Sequence, residues 1–244
     1  MDRRGPKPQN NRRILNGIFC ILRTGAPWRD LPERCGPYTS AHNRFYRWRK
    51  AGIWDRLMDA IVKAHEGKVQ MIAARSYACI SMPPGSKKSG VRCEGRSRGG
   101  LTTKIHARVD AKGRPVRLLI SPGNDHDVTF TAALLDGLEK RAVVTADKGY
   151  VADRVRAHIS AQGAFATFPT APTGGRSPGG IRLYRQRNHV ERFNKLKQYR
   201  RIAAGYDELG AAFIAFIQLA SVRIWLIQLS PRPNNSPAAR RGAS

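Results

Sequence analysis

Leu101-Thr102-Thr103-Lys104-Ile105-His106-Ala107-Arg108-Val109 alternates in polarity with the period of a half-buried β-strand. The next four residues, Asp110-Ala111-Lys112-Gly113, have the chemistry of a tight reversal, and residues 115–120 return as a second strand. A hairpin of this kind needs partners on at least one side. Upstream, the apolar run 69–73 supplies a candidate central strand. Downstream, 128–140 predicts a helix on Phe130, Ala133, Leu134 and Leu138, 141–146 a compact apolar strand, 151–162 a helix and 164–168 a fifth strand. Three strands followed by alternating helices and strands predict an α/β fold: a mixed sheet with flanking helices.

In open sheets of this class, sites gather at the carboxyl ends of strands. Asp147 stands at such an end, in Asp147-Lys148-Gly149-Tyr150, where an Asp also serves as an ordinary helix cap. A second candidate lies in the run Tyr184-Arg185-Gln186-Arg187-Asn188-His189-Val190-Glu191-Arg192-Phe193-Asn194-Lys195-Leu196-Lys197, which predicts a helix. From Arg182 to Arg201 there are eight Lys or Arg residues and one carboxylate, Glu191. One acid among cations suits a site that holds a metal ion while gripping a polyanion. It equally suits a solvated helix with Glu191 paired to Lys195 at i,i+4.

Residues 1–10 are basic and proline-bearing, an expected disordered arm. A helix is predicted from Asn11 on Ile14, Leu15, Ile18, Phe19 and Leu22, followed by a turn around Trp28. Thr39 or Ser40 is expected to cap a second helix with Phe45 and Trp48 inward and Arg44, Arg47, Arg49 and Lys50 on a basic face. A third helix follows on Trp54, Leu57, Met58 and Ile61. Three short helices with a basic element suggest a helix-turn-helix-like DNA reader. Residues 80–100 read as a mobile basic loop, and 169–181 as a Pro/Gly-rich one. The apolar stretch 209–229 contains Gln218, Arg223 and Gln228, which predicts a buried core helix over a membrane span.

Lys and Arg number 44 against 17 Asp and Glu, a formal charge of +27, with a pI near 11.2. That excess points to nucleic acid. Cys20, Cys35, Cys79 and Cys93 show no metal-ligand or disulfide spacing, and no apolar signal segment opens the chain. The expected location is cytoplasmic, associated with the nucleoid.

Several long segments carry a family resemblance. They are Arg4-Gly5-Pro6-Lys7-Pro8, LNGIFCILRTGAPWRDLPERCGP (15–37), GRSRGGLTTKIHARVDAKGRPV (95–116), SPGNDHD (121–127), ADKGY (146–150) and RQRNHVERFNKLKQYRRIAAGYD (185–207). In this order, over about residues 4–228, they resemble the bacterial insertion-sequence transposases of the DDE class, specifically insertion-sequence family five. The resemblance implies an RNase H-like catalytic domain (67–229) behind a helical DNA-binding region (1–66), with a disordered tail (230–244). It implies metal-dependent strand cleavage and strand transfer at element ends by three acids, on the first strand, at the end of the fourth and on a late helix. Asp147 and Glu191 fit the second and third, as catalytic residues and as ligands to Mg2+ or Mn2+. The family signature Tyr-x2-Arg-x3-Glu fits Tyr184, Arg187 and Glu191. Arg187, Lys195 and Lys197 are then candidate DNA contacts. The implied partners are double-stranded DNA (the terminal inverted repeats and the target) and a second copy in a homodimer, with no membrane.

Two departures stand out. Ala73 occupies the position of the first acid, and alanine cannot coordinate a metal. The family's lysine stands seven positions after the glutamate, whereas Lys197 is six after Glu191 and position 198 is Gln. One residue on a helix is a rotation of about 100°. Val190, Phe193, Leu196, Tyr199 and Ile202 recur every three, which would smear a helical stripe, as a deletion would leave it. Asp125 and Asp127 are weak substitutes for the missing acid. The expectation is a transposase by descent whose cleavage is disabled. The alternative is a non-catalytic, sequence-specific DNA-binding protein derived from a transposase.

Overall fold

The computed structural model describes residues 10–65, 69–78, 95–97, 100–146, 153–167, 195–203 and 210–229. The N-terminal helices are α1 (Asn11–Thr24), α2 (Tyr38–Lys50) and α3 (Ile53–His65). The sheet contains β1 (Val69–Ala78), β2 (Gly95–Ser97), β3 (Gly100–Asp110), β4 (Pro115–Pro122), β5 (Val143–Ala146) and β6 (Phe165–Thr167). Between and after its strands come α4 (Thr131–Leu135), α5 (Asp153–Ala161), α6 (Arg200–Ala203) and α7 (Gly210–Leu229).

Strand β1 is central. It pairs antiparallel with β3 and parallel with β5; β3 also carries β2 and β4, and β6 extends β5 in parallel. The result is a six-stranded mixed sheet among the described residues, in keeping with the expected α/β fold. Alternation along the strands builds two cores. Met71, Ile105, Ala107 and Val109 join a core with α1, α2, α6 and α7 on one face. Ile72 and Val144 join Leu134, Leu135, Val155 and Ile159 on the other. The sheet therefore lies between two helical layers.

α7 is apolar around its whole circumference and is buried against both the sheet and the N-terminal helices, as a core helix is. Phe216 stacks on Phe45 at 4.2 Å between ring centroids. Arg201 lies over the rings of Phe216 and Trp28, at 5.0 and 5.6 Å, and donates to the Ala26 carbonyl at 3.3 Å. These contacts tie the N-terminal helices to the C-terminal end of the fold.

The β3–β4 reversal is fixed from inside. Asp110 Oδ1 accepts from the backbone N–H groups of Lys112 and Arg114 at 3.0 and 2.8 Å, and its Oδ2 accepts from Arg114 Nε at 2.7 Å. The Arg114 guanidinium lies 3.8 Å from the Trp225 ring centroid, and Trp225 Nε1 donates to the Pro115 carbonyl at 2.7 Å. A buried ion pair is thus fully bonded and roofed by an indole. Farther along, Arg108 and Arg117 are register partners, and both donate to the Asp136 carbonyl, at 3.1 and 2.9 Å. That shared acceptor offsets like-charge repulsion across the strands.

Several expected elements differ. α2 begins at Tyr38 behind Pro37, with no side-chain cap, so Thr39 and Ser40 lie inside its first turn. Proline's fixed φ sets the chain for helix entry without a capping hydroxyl. In α3, Leu57 is 38% exposed and Val62 is buried in the stripe with Trp54 and Met58. The strand expected at 69–73 runs on to Ala78, because β3 continues to offer it a partner. Within 80–100, Gly95–Ser97 is a short strand against β3. The helix expected over 128–140 is a 3₁₀ turn, Asp127–Phe130, and then α4, with Ala133 exposed; Gly137, at φ 71°, turns the chain away. Residues 195–198 form a 3₁₀ turn in place of the expected α-helix.

Candidate active site and nucleic-acid interface

The parallel β1–β5 pair runs Val69↔Val143, Gln70↔Val144, Met71↔Thr145 and Ile72↔Ala146. The next residues in sequence are Ala73, which lies within β1 and pairs with Ala107 on β3, and Asp147. Asp147, Arg187 and Glu191 lie outside the described residues. β1 and β5 point the same way, and β5 ends at Ala146 beside the middle of β1. This is the end of the sheet where α/β sites form.

Segment 121–127 leaves β4 farther along, where Pro122 pairs with Thr103 and Thr103 with Tyr77, and is anchored to β3. Lys104 Nζ donates to the Asp125 carbonyl at 2.7 Å and to Asp127 Oδ1 at 2.9 Å. His106 is buried, with Nε2 2.8 Å from Ser121 Oγ and its ring stacked on Phe130 at 4.8 Å. Its pKa is lowered, first by burial and then by Lys104, against the raising effects of Asp127 and Asp125. It is a structural histidine. Gly123 donates its N–H to the Thr102 carbonyl at 2.9 Å. A Cβ there would stand 1.8 Å from Thr102 Oγ1, so only glycine permits this approach. The carboxylate of Asp127, one of the weak substitutes for a missing acid, is committed to Lys104.

The late basic segment reaches the described region at Lys195. Lys195 and Lys197 are exposed and Leu196 between them is buried. Leu196, Tyr199 and Ile202, spaced by three, are all buried in the first core. A 3₁₀ turn has three residues per turn and superimposes i and i+3. Leu196 lies in the 3₁₀ turn and Ile202 in α6, and the N–H groups of Tyr199 and Ile202 donate to the carbonyls of Leu196 and Tyr199, so these three form one buried seam; Val190 and Phe193 lie outside the described residues. Burial raises the Tyr199 pKa, with Arg223 and Arg23 opposing.

In α2, Arg47 and Lys50 are exposed. Arg44 donates to Asn11 Oδ1 at 2.8 Å and lies 5.6 Å from the Trp48 ring centroid; Arg49 lies 5.1 Å from that of Tyr46. Trp48 is half-buried, edge-on to Trp54 at 5.5 Å. The four cations lie on one helix, and two are oriented by aromatic neighbours. Among the described residues, no group of three or more His, Cys, Asp or Glu could hold a metal ion. The Lys104 pairing and the buried Arg201 were not anticipated. The partial signal was Lys104 and His106 sharing one strand face with an acidic segment downstream.

Residues 1–58 match the family model described as "Putative transposase of IS4/5 family", and residues 61–225 match "Transposase DDE domain". The chain is 43% identical over 129 residues to the "Putative transposase for insertion sequence element IS6501" of Brucella ovis, covering 52% of this chain and 99% of that one. It is 43% identical over 59 residues to the "Transposase for insertion sequence element IS1106" of Neisseria meningitidis serogroup B, covering 24% and 20%. Among solved structures, a pre-cleavage Mos1 transpososome aligns at 12% identity and a TM-score of 0.31, over 93% of this chain and 82% of that one. The catalytic domain of Mos1 mariner transposase aligns at 11% and 0.28, over 76% and 93%. The sheet order is given by this chain's own strand register.

Proposed function

The chain belongs to the DDE-domain transposases of insertion sequences, and on that premise we propose that it engages the ends of its element while its cleavage centre lacks one metal ligand. It is by family a transposase and an enzyme. In the proposed organisation, 1–66 is the DNA-binding region, 67–229 the catalytic domain and 230–244 a tail. Arg44, Arg47, Arg49 and Lys50, with Arg187, Lys195 and Lys197, grip phosphates of the terminal repeats and target DNA. Asp147 and Glu191 are the remaining catalytic carboxylates. The working form is a homodimer in the cytoplasm, at the nucleoid.

The observation that carries this reading is the Ile72↔Ala146 register. It supports neighbouring positions for the first and second acids, and the first is alanine. In this family's chemistry, carboxylates hold Mg2+ or Mn2+ ions that activate the attacking oxygen and stabilise the leaving one. The residues present do not fit that full set: Ala73 has no donor atom, and the Asp127 carboxylate is engaged by Lys104. Without the first ligand, what the chain's own residues supply is charge and position, basic side chains neutralising phosphates and holding the duplex.

The second reading, a sequence-specific DNA-binding protein derived from a transposase, shares every feature except catalysis. Duplexes carrying the element's ends, incubated with the chain in Mg2+ and then Mn2+, test both. Retention of the ends against excess unrelated duplex, with no nicking, is the expected result. Specific nicking overturns the disabled centre, and equal affinity for unrelated duplexes overturns recognition of the ends.

A further inference from the structure

A cleft of about 290 Å³ lies between residues 128–132 and the first two turns of α5, lined by Val128, Thr129, Thr131, Arg154, Val155 and His158 among others. Its walls have a common origin. β4 runs antiparallel to β3, and β3 antiparallel to β1, so β4 points the same way as β1 and β5. It ends opposite Tyr77, past the last β1–β5 pair, and the chain after it folds back until Phe130 stacks on His106, the partner of Ala74. One wall follows β4 after five residues. The other begins at Asp153, seven residues beyond Ala146, the end of β5. Both walls of the cleft thus follow strands that run toward the same end of the sheet.

Several cations in this fold are occupied. Arg13 donates to the carbonyls of Arg34 and Glu33, Arg44 to Asn11, Arg108 and Arg117 to Asp136, Arg114 to Asp110, and Arg201 to Ala26. Arg154 is exposed, lines the cleft and, among the described residues, has no hydrogen bond, ion pair or ring contact. One turn on, His158 Nε2 is shielded from solvent without a hydrogen-bond partner; its nearest carboxylate oxygen, Asp136 Oδ1, is 3.6 Å away.

We infer that this cleft is a phosphodiester subsite, in which Arg154 holds one backbone phosphate of the DNA strand beside the scissile end. The Thr129 hydroxyl and the His158 imidazole supply further polar surface, and Val128 and Val155 accept the sugar face. The subsite rests on the reading that the chain engages DNA, and adds to it a contact outside α2 and the late basic segment. Arg154 is a positioning residue.

Fluorescence anisotropy with a duplex carrying the terminal repeat, read across about 50–200 mM salt, tests it. Losing one phosphate contact flattens the log–log salt slope by about 0.9, equivalent to roughly eightfold weaker binding near 0.1 M salt. Arg154→Ala is expected to show this loss and Arg154→Lys to retain the slope. Lys112→Ala removes one charge from the β3–β4 turn, at the opposite end of the sheet, and is expected to match the unaltered chain. If Arg154→Ala binds as the unaltered chain does, or Lys112→Ala loses as much, the subsite is overturned while DNA engagement stands. If the unaltered chain fails to bind, the DNA reading fails and the subsite with it.

Discussion

Ile72 on β1 and Ala146 on β5 are side-by-side partners in a parallel pair, and each is the last residue before a position that matters chemically. The ladder sets the middle of β1 beside the carboxyl end of β5. Ala73, which follows Ile72, offers no atom to a metal.

Ala73→Asp is the direct repair. The variant is expected to bind Mn2+ more tightly by calorimetry and to nick end-bearing duplex at least about a hundredfold faster than the unaltered chain, the scale on which a lost electrostatic partner is felt. If it binds metal but does not cut, one residue inserted after Phe193 in that background is expected to bring cleavage. A cleaving unaltered chain would sink the idea.

The Asp110–Arg114 pair is buried on both sides, at 3% and 6% exposure. Asp110→Ala leaves the guanidinium unpaired beneath Trp225 and is expected to cost roughly 3–5 kcal/mol by urea unfolding. Trp225→Phe keeps the ring but frees the Pro115 carbonyl, for about 1–3 kcal/mol. Equal losses would mean that the indole roof, not the ion pair, dominates.

His106 gives a signed dependence on pH. Its folded pKa lies below the ordinary value of 6.5, so below that pH the unfolded chain takes up a proton that the folded chain refuses. Stability therefore falls as pH drops from about 6.5 toward the lowered folded value, by at most about 1.4 kcal/mol per pH unit from this group. Thermal melts of His106→Gln should lack that component. An identical pH slope in the variant would assign the effect elsewhere.

Phe216 stacks on Phe45 from the far end of the chain. Phe216→Ala is expected to cost about 3–5 kcal/mol, and limited proteolysis should show α1–α3 opening along with α7. Selective loss of α7 with α1–α3 still protected would show that the N-terminal helices hold themselves.

The parts legible in the sequence were those in which one periodicity dominates. The alternation of 101–109, the apolar run at 141–146 and the apolar stretch 209–229 each map onto an observed element, the last two starting two residues and one residue later than read. Boundaries were lost where a tertiary partner decides, as at Arg75, Ser76 and Tyr77, polar and aromatic residues held in β1 by pairing with β3. The seam of Leu196, Tyr199 and Ile202 is the most instructive case. A period of three is a fault in an α-helix and a regular feature of a 3₁₀ turn, and composition does not distinguish them. Side-chain pairings such as Lys104 with Asp127 join residues far apart in the chain and leave no local pattern.

The stacked pair Phe45 and Phe216 also sets a schedule for synthesis. At about 5–20 residues per second, the ribosome adds the second ring roughly 10 to 30 s after the first. Until then α1–α3 present an apolar face with nothing to close it. A nascent or prematurely terminated chain would carry α2 without the support of Phe216, so α1–α3 close their apolar face only after α7 has been made.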